Sequence, residues 1–251
     1  MVVTLTPLLD IPMVLPGDDI AGLLIRACAQ AAPADHDVLA VAQKIVSKAE
    51  GRYVDLAQVR PSPRAQRLAA EVNKDARLVE VILSESRRVV RYRPGVLIVE
   101  HRLGFIMANA GVDRSNVDPA MGTEPVLLLP RDPDASAAAL RKRIAGHFGK
   151  RLGVVITDSW GRAWRRGAVG MALGVAGMPA LMDLRGRVDL FGHELRVTQT
   201  GFADEIASAA SLLMGQADEA RPAVLLRGLV WSGVPAPAAA VIRAPEEDLF
   251  R

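Results

Sequence analysis

Val96-Leu-Ile-Val-Glu-His-Arg-Leu-Gly-Phe-Ile-Met-Ala108 is followed by Pro125-Val-Leu-Leu-Leu129 with no helical pattern between the two runs. Both are rich in Val, Ile and Leu and bounded by turn formers, so both read as strands. Successive strands without an intervening helix break the rhythm of a doubly wound parallel sheet. They predict an α+β fold of mixed and antiparallel sheets with flanking helices. Working outward, the apolar runs at 2–5, 38–42, 152–157 and 223–226 are further strands. Helices are expected at 19–31, 63–72, 76–88, 135–148 and 203–214. Their starts carry capping oxygens, among them Ser62 before Pro63, Asp75 and Asp132, and two of them stop before Gly149 and Gly215.

The chain has 251 residues, half of them hydrophobic. That is enough to bury a sizeable core and excludes disordered and collagen-like classes. No repeat or linker divides it, so the expectation is one folding unit over 1–251, made of two intimately packed lobes. The net charge of +3 is small and dispersed, and only 4% of residues are aromatic, which argues against a nucleic-acid partner. Met1-Val-Val-Thr-Leu-Thr-Pro7 has no basic leader, and no apolar run reaches the roughly 18 residues of a membrane helix. The lone Cys28, in the apolar run Leu23 to Ala29, fits a core position in a protein of the reducing cytoplasm. Gly170, Gly174 and Gly177 lie in another apolar stretch, where close backbone packing is the simplest reason for them.

The single-motif answers fail. There is no G-x-x-x-x-G-K-S/T, G-x-G-x-x-G, H-E-x-x-H or G-x-S-x-G, so neither a P-loop nor a Rossmann fingerprint is present. Gly146-His-Phe-Gly149-Lys150 only imitates a phosphate loop. Four histidines and one cysteine are too few for a Cys/His zinc site.

Polar clusters past strand ends are more informative. In Arg151-Leu-Gly-Val-Val-Ile-Thr157-Asp158-Ser159-Trp160-Gly161-Arg162 an apolar strand empties into hard oxygen donors suited to Mg²⁺ or Mn²⁺. Arg162, Arg165 and Arg166 follow as clamps for anionic groups. An Asx turn with solvated arginines reads equally well. Asn109-Ala-Gly-Val-Asp113-Arg-Ser-Asn116 gathers a further carboxylate and an amide around a glycine, or is a plain turn. In Val41-Ala-Gln-Lys44-Ile-Val-Ser47-Lys48-Ala-Glu-Gly51-Arg52 a strand gives way to Ser-Lys and a glycine turn. Ser47 and Lys48 would suit a polyphosphate, or Lys48 is an exposed lysine on a strand edge. Met214-Gly215-Gln216 closes the last helix as a C-cap that could line a nucleotide cleft.

Together and in this order, these segments resemble the coenzyme F420 γ-glutamyl ligase family over nearly the whole chain. The resemblance rests on Gly17-Asp18-Asp19, Val46-Ser-Lys-Ala-Glu-Gly-Arg52, Asn109 to Asn116, Leu129-Pro-Arg-Asp-Pro-Asp134, Ile156 to Arg162, Arg165-Arg-Gly167, Ala203-Asp-Glu-Ile206 and Leu213-Met-Gly215. It implies a GTP-dependent ligase of α+β fold, a homodimer needing Mg²⁺ or Mn²⁺, two ions per site, with K⁺ a further candidate ion. The implied reaction joins L-glutamate to the side-chain carboxylate of the deazaflavin coenzyme precursor through an acyl phosphate, releasing GDP and phosphate. The implied metal ligands are Asp113, Asp158, Ser159 and Gln216. The implied nucleotide contacts are Leu9, Asp10, Ile11, Pro12, Ser47, Lys48, Asn116, Met214, Gly215 and Gln216, and the implied catalytic groups are Asp158, Lys48 and Arg162. Two positions depart from the family pattern. Ser159 stands where Thr is common and keeps the hydroxyl, whereas Gln216 stands where Glu is common and loses a charge. Another carboxylic acid acceptor, or a non-catalytic nucleotide-binding module, are the competing readings.

Overall fold

The computed structural model describes residues 2–249. The chain opens with β1 (Thr4–Pro7), α1 (Ile20–Cys28), β2 (Val38–Ala42) and α2 (Gln43–Ala49). A central section follows with β3 (Tyr53–Asp55), α3 (Pro63–Val72), α4 (Ala76–Ser84), β4 (Ser86–Arg93), β5 (Val96–His101), β6 (Ile106–Ala108) and β7 (Pro125–Leu127). The chain then returns through α5 (Pro133–Phe148), β8 (Gly153–Gly161), β9 (Ala168–Ala176), β10 (Met182–Asp183), β11 (Gln199–Thr200), α6 (Phe202–Met214) and β12 (Ala223–Arg227).

The main sheet has the order β1-β12-β2-β8-β9. Only β2 and β8 run parallel; the other neighbours are antiparallel. Its strands are continuous apolar runs because both faces are covered. Leu39, Val41, Val154, Ile156 and Leu225 face α1, α2 and α5, while Val38, Ala40, Val155, Val224 and Leu226 face α6. Cys28 is part of the first of these cores, and burial pushes its thiol up to about 12, which makes it an inert hydrophobe.

The section between α2 and α5 builds its own layer. The antiparallel sheet β4-β5-β6 packs on α3 and α4 through Leu68, Val72, Val79, Ile82, Leu97 and Val99, and β3 pairs with β7 beside it. Glu85, at the end of α4, accepts from Arg52 at 2.8 Å and Arg102 at 3.0 Å. Burial alone would raise its carboxyl, but the bonds from His101 and Arg102 and the charges of the two arginines hold it at about 2. Arg52 also donates to the Leu129 carbonyl, tying this layer to the strand leading into α5.

The α+β expectation matches these mixed and antiparallel sheets. The caps of α3, α4 and α5 are the predicted Ser62, Asp75 and Asp132, and Gly149 ends α5 in the left-handed conformation. Four segments differ from the sequence reading. Asp158 to Gly161 stay in strand β8, held by ladder pairing with β9, rather than forming a turn past the end of an apolar strand. Residues 43–49 form α2 rather than a strand passing into a turn; its N-cap, Ala42, makes no side-chain bond, so the sequence carries no start signal. The helix expected over 76–88 stops at Ser84, because Ser84 and Ser86 donate to the Val81 and Ile82 carbonyls, and β4 begins. The glycine-bearing run 168–176 is the edge strand β9.

The packing role of the β9 glycines holds. A Cβ on Gly170 would stand 2.2 Å from the Ala207 carbonyl oxygen of α6, and one on Gly174 equally close to that of Pro133 on α5. Both obstacles are backbone and cannot swing aside. Gly174→Ala is therefore expected to lower the unfolding free energy by roughly 2–3 kcal/mol, as overpacking does. Gly146→Ala, on the exposed side of α5 with nothing near the added methyl, is expected to raise it by up to about 1 kcal/mol. Urea unfolding of the two variants checks the pair, and equal effects would refute the packing argument.

Candidate active site at the strand ends

The parallel pairing of β2 with β8 sets Ala42, the last residue of β2, opposite Thr157, so β2 ends beside the stretch where β8 runs on past it, paired only with β9. Ligands of open sheets bind at such edges, where the chain leaves the strands and exposes side chains and backbone. Here the chain turns into α2 on one side and runs on through Asp158 and Ser159 on the other. The turn after β6 and the turn after α6 close over the gap. The result is a cavity of about 670 Å³.

Each polar group on its walls has a local reason for its position. Asp113 is locked by two backbone bonds with Leu127, and the preceding Gly111 is left-handed where a Cβ would meet Leu129 at 2.8 Å. The Asp113 carboxylate accepts from the Ser115 amide at 2.7 Å, the Ser115 hydroxyl at 2.9 Å and the Lys44 ammonium at 2.8 Å. Burial opposes its charge, but these bonds, led by Lys44, outweigh it and lower the carboxyl. Asn116, left-handed at φ 54°, donates its amide to the Ala217 carbonyl at 3.0 Å and so bridges to the turn after α6. Across that bridge, Ser159 Oγ donates to Gln216 Oε1 at 2.6 Å.

Asp158 is different. Burial pushes its carboxyl up to about 6, and the neighbouring Asp113 charge adds to this; the Ser159 amide, Lys44 and Gln43 only partly offset them. Lys48 is 5% exposed. Burial and the nearby Lys44 lower its ammonium, against the pull of Asp118. A carboxyl that resists ionisation near Lys44, in a cavity also lined by the buried Lys48, is the electrostatic signature of a working site.

Of the residues singled out from sequence, Ile11, Pro12, Lys48, Asp113, Asn116, Asp158, Ser159, Met214, Gly215 and Gln216 line this one cavity. Four do not. Leu9 is 57% exposed outside it, with left-handed Asp10 beside it. Ser47 is fully buried and donates to Gln43 Oε1 at 2.8 Å, so it braces Gln43. Arg162 turns to the Gly167 carbonyl at 3.2 Å and ties the β8–β9 loop. Lys48 is not an exposed lysine on a strand edge, because it rides on α2.

Gln43, Lys44 and Glu219 also line the cavity and were not among the residues singled out. Recognition of α2 would have exposed the first two, since Gln43 with Ser47 and Lys44 with Lys48 are i, i+4 pairs on one helix. Glu219 folds back on the turn, accepting from the Ala217 amide, and occupies the space a Cβ on left-handed Gly215 would need. Nothing local in the sequence announces that.

Residues 9–228 match the F420-0:gamma-glutamyl ligase family. That span contains every residue of the cavity. The chain belongs to this family. A Methanopyrus kandleri protein named coenzyme F420:L-glutamate ligase is 48% identical over 243 residues, 95% of this chain and 93% of that protein. Proteins of the same name from Methanothermobacter thermautotrophicus and Archaeoglobus fulgidus are 44% and 43% identical, over 96% and 100% of this chain and 95% and 97% of their own lengths. Among the described residues no helix is long and apolar enough to cross a membrane.

The raised Asp158 carboxyl has a measurable consequence. Because it binds its proton more tightly folded than unfolded, its cost to stability is absent below about pH 4, grows between 3.8 and about 6, and persists above. In ligand-free protein, Asp158→Asn should therefore be more stabilising at pH 8 than at pH 4, by about 2 kcal/mol. Urea unfolding at the two pH values checks this, and equal effects would contradict it.

Proposed function

We propose that this chain joins L-glutamate to the side-chain carboxylate of the coenzyme F420 precursor, using GTP and a divalent cation. Family membership supports the ligase reading. The observation that carries it to this site is the convergence of Lys48, Asp113, Asn116, Asp158, Ser159 and Gln216 on one cavity.

The donor set fits a hard divalent ion carried in with a polyphosphate. Mg²⁺ and Mn²⁺ favour carboxylate and hydroxyl oxygens, and Mg²⁺ is usually held by one or two carboxylates with substrate phosphates and water completing the shell. Asp113, Asp158 and Ser159 make such a set; among the described residues no three His, Cys, Asp or Glu side chains form an all-protein cage. Gln216, an uncharged donor bonded to Ser159, would orient that hydroxyl. When bound, the ion neutralises charge on the β- and γ-phosphates.

The remaining chemistry is positioning and charge. A carboxylate is a poor electrophile, so the acceptor oxygen takes the γ-phosphoryl group and GDP leaves. The amine of L-glutamate then attacks the acyl carbon, the amide forms, and phosphate departs with the electron pair of the broken C–O bond and takes up the proton the amine loses. Lys48 would hold phosphate oxygens as a buried point charge, with Asn116, Ile11, Pro12 and the Met214–Gln216 turn around the nucleotide. A homodimer is proposed on the family resemblance and is read by sedimentation equilibrium.

Mass spectrometry of the deazaflavin after incubation of the protein with precursor, L-glutamate, Mn²⁺ and GTP or ATP tests the reading. Glutamylated product with GTP is expected. Bound GTP without product would leave the nucleotide site and remove the acceptor. Asp158→Asn, while folded, is expected to lose turnover by about a hundredfold or more, and Lys48→Met to raise KM for GTP by about tenfold or more; near wild-type kinetics in both would overturn these roles.

A further inference from the structure

Next to the large cavity, and sharing the Trp160 wall with it, lies a second hollow of about 170 Å³. Its floor is the edge strand β9 at Met171 and Ala172. Phe105 and Trp160, packed edge to face at 5.9 Å, form one side. The chain after β12 forms the other: Ile242 lies over left-handed Gly104, where a Cβ would stand 3.1 Å from it, and brings Arg243 to the rim. These covering residues lie beyond residue 228, where the family match ends.

The charged groups of this hollow are Asp204, Arg243 and Asp248. Ala172 belongs to an edge strand, and Asp204 Oδ1 accepts its amide at 2.9 Å. No described hydrogen bond commits Asp204 Oδ2. Ala172 pairs with Thr157, so Asp204 sits one strand away from Thr157 and Asp158 in the middle of β8. Arg243 lines the same hollow from a different segment, the chain after β12. A ligand that satisfies both must carry a cationic nitrogen at one end and a carboxylate at the other.

We infer that this hollow is the subsite for the amino-acid co-substrate, Asp204 holding the amino group beside the reacting carboxylate and Arg243 holding a carboxylate at the rim. The inference rests on the ligase reading of the large cavity. The size fits, since a closed cavity of about 150 Å³ takes up a benzene-sized molecule, and this one of about 170 Å³ adjoins the large cavity at Trp160. Guanidinium groups bind carboxylates through two parallel bonds, which gives the rim its specificity. Burial raises the Asp204 carboxyl, a cost that an incoming ammonium group relieves. Asp204 and Arg243 together suit the ammonium and carboxylate of an amino-acid head, and the second carboxylate of L-glutamate is left at the mouth.

The test uses the full chain as wild type, Asp204→Asn and Arg243→Gln. Asparagine keeps Oδ1 for the Ala172 amide and removes only the charge. Each variant is expected to raise KM for L-glutamate by about tenfold or more while KM for GTP stays within about twofold. If Asp204→Asn does not fold, Arg243→Gln, on the exposed rim, decides alone. Glutamate KM values within about twofold of wild type, or an equal rise in both KM values, would overturn the subsite. Saturation-transfer NMR with L-glutamate separates this failure from that of the ligase reading. Should wild type make no ligated product, a glutamate signal lost in both variants keeps the subsite while the proposed reaction falls. No signal in wild type overturns the subsite as well.

Discussion

The parallel pairing of β2 with β8, Val38–Ala42 against Gly153–Thr157, is the constraint on which the rest depends. Parallel neighbours cannot be joined by a tight turn, so the chain between them must cross over. Here the crossover carries α2, the β4-β5-β6 layer and α5. That long excursion returns Asn109 to Asn116 to the edge from which α2 departs. Both strands are buried on both faces, by α1, α2 and α5 on one side and α6 on the other. Their register is therefore held tightly, and with it the distance between Lys48 on α2 and Asp158 on β8.

A site built this way gathers charges that water would otherwise solvate. Lys44 bonds Asp113, Ser115 supports that carboxylate, and Gln43 reaches Asp158 while Ser47 braces Gln43. The compensation is incomplete at Asp158 and Lys48. The local arrangement there is poorer than folding alone would select, as expected where side chains are kept for a ligand. Rigid packing holds the unfavourable groups in place. Gly170 lets α6 rest on β9, and Gly215 lets the chain turn over the Glu219 carboxylate, so that Gln216 reaches Ser159.

How legible this was in the sequence varied with how local the determinant is. Ser62, Asp75, Asp132 and Gly149 bound their helices as expected, because a cap bonds its own first or last turn. The apolar runs of β2, β8 and β12 were readable because burial on both faces leaves an unbroken signal. Helix α2 was not. It lacks a side-chain cap, is seven residues long and continues an apolar strand, so tertiary packing alone makes it helical. With it went Gln43 and Lys44, whose place in the site is an i, i+4 relation invisible until the helix is known. Ser47 failed for the same reason, as its hydroxyl turns inward to Gln43.

The sequence by itself determined the α+β class, the capped helices and the local grouping of polar residues, since each depends on neighbours a few residues away. Tertiary structure decided which of those clusters meet. Asn116 bonds Ala217 across 101 positions and Ser159 meets Gln216 across 57, contacts that exist only once the sheet has set its register. It also decided the state of the charges, because burial raises the Asp158 carboxyl and lowers the Lys48 ammonium, and burial belongs to the fold rather than to either residue.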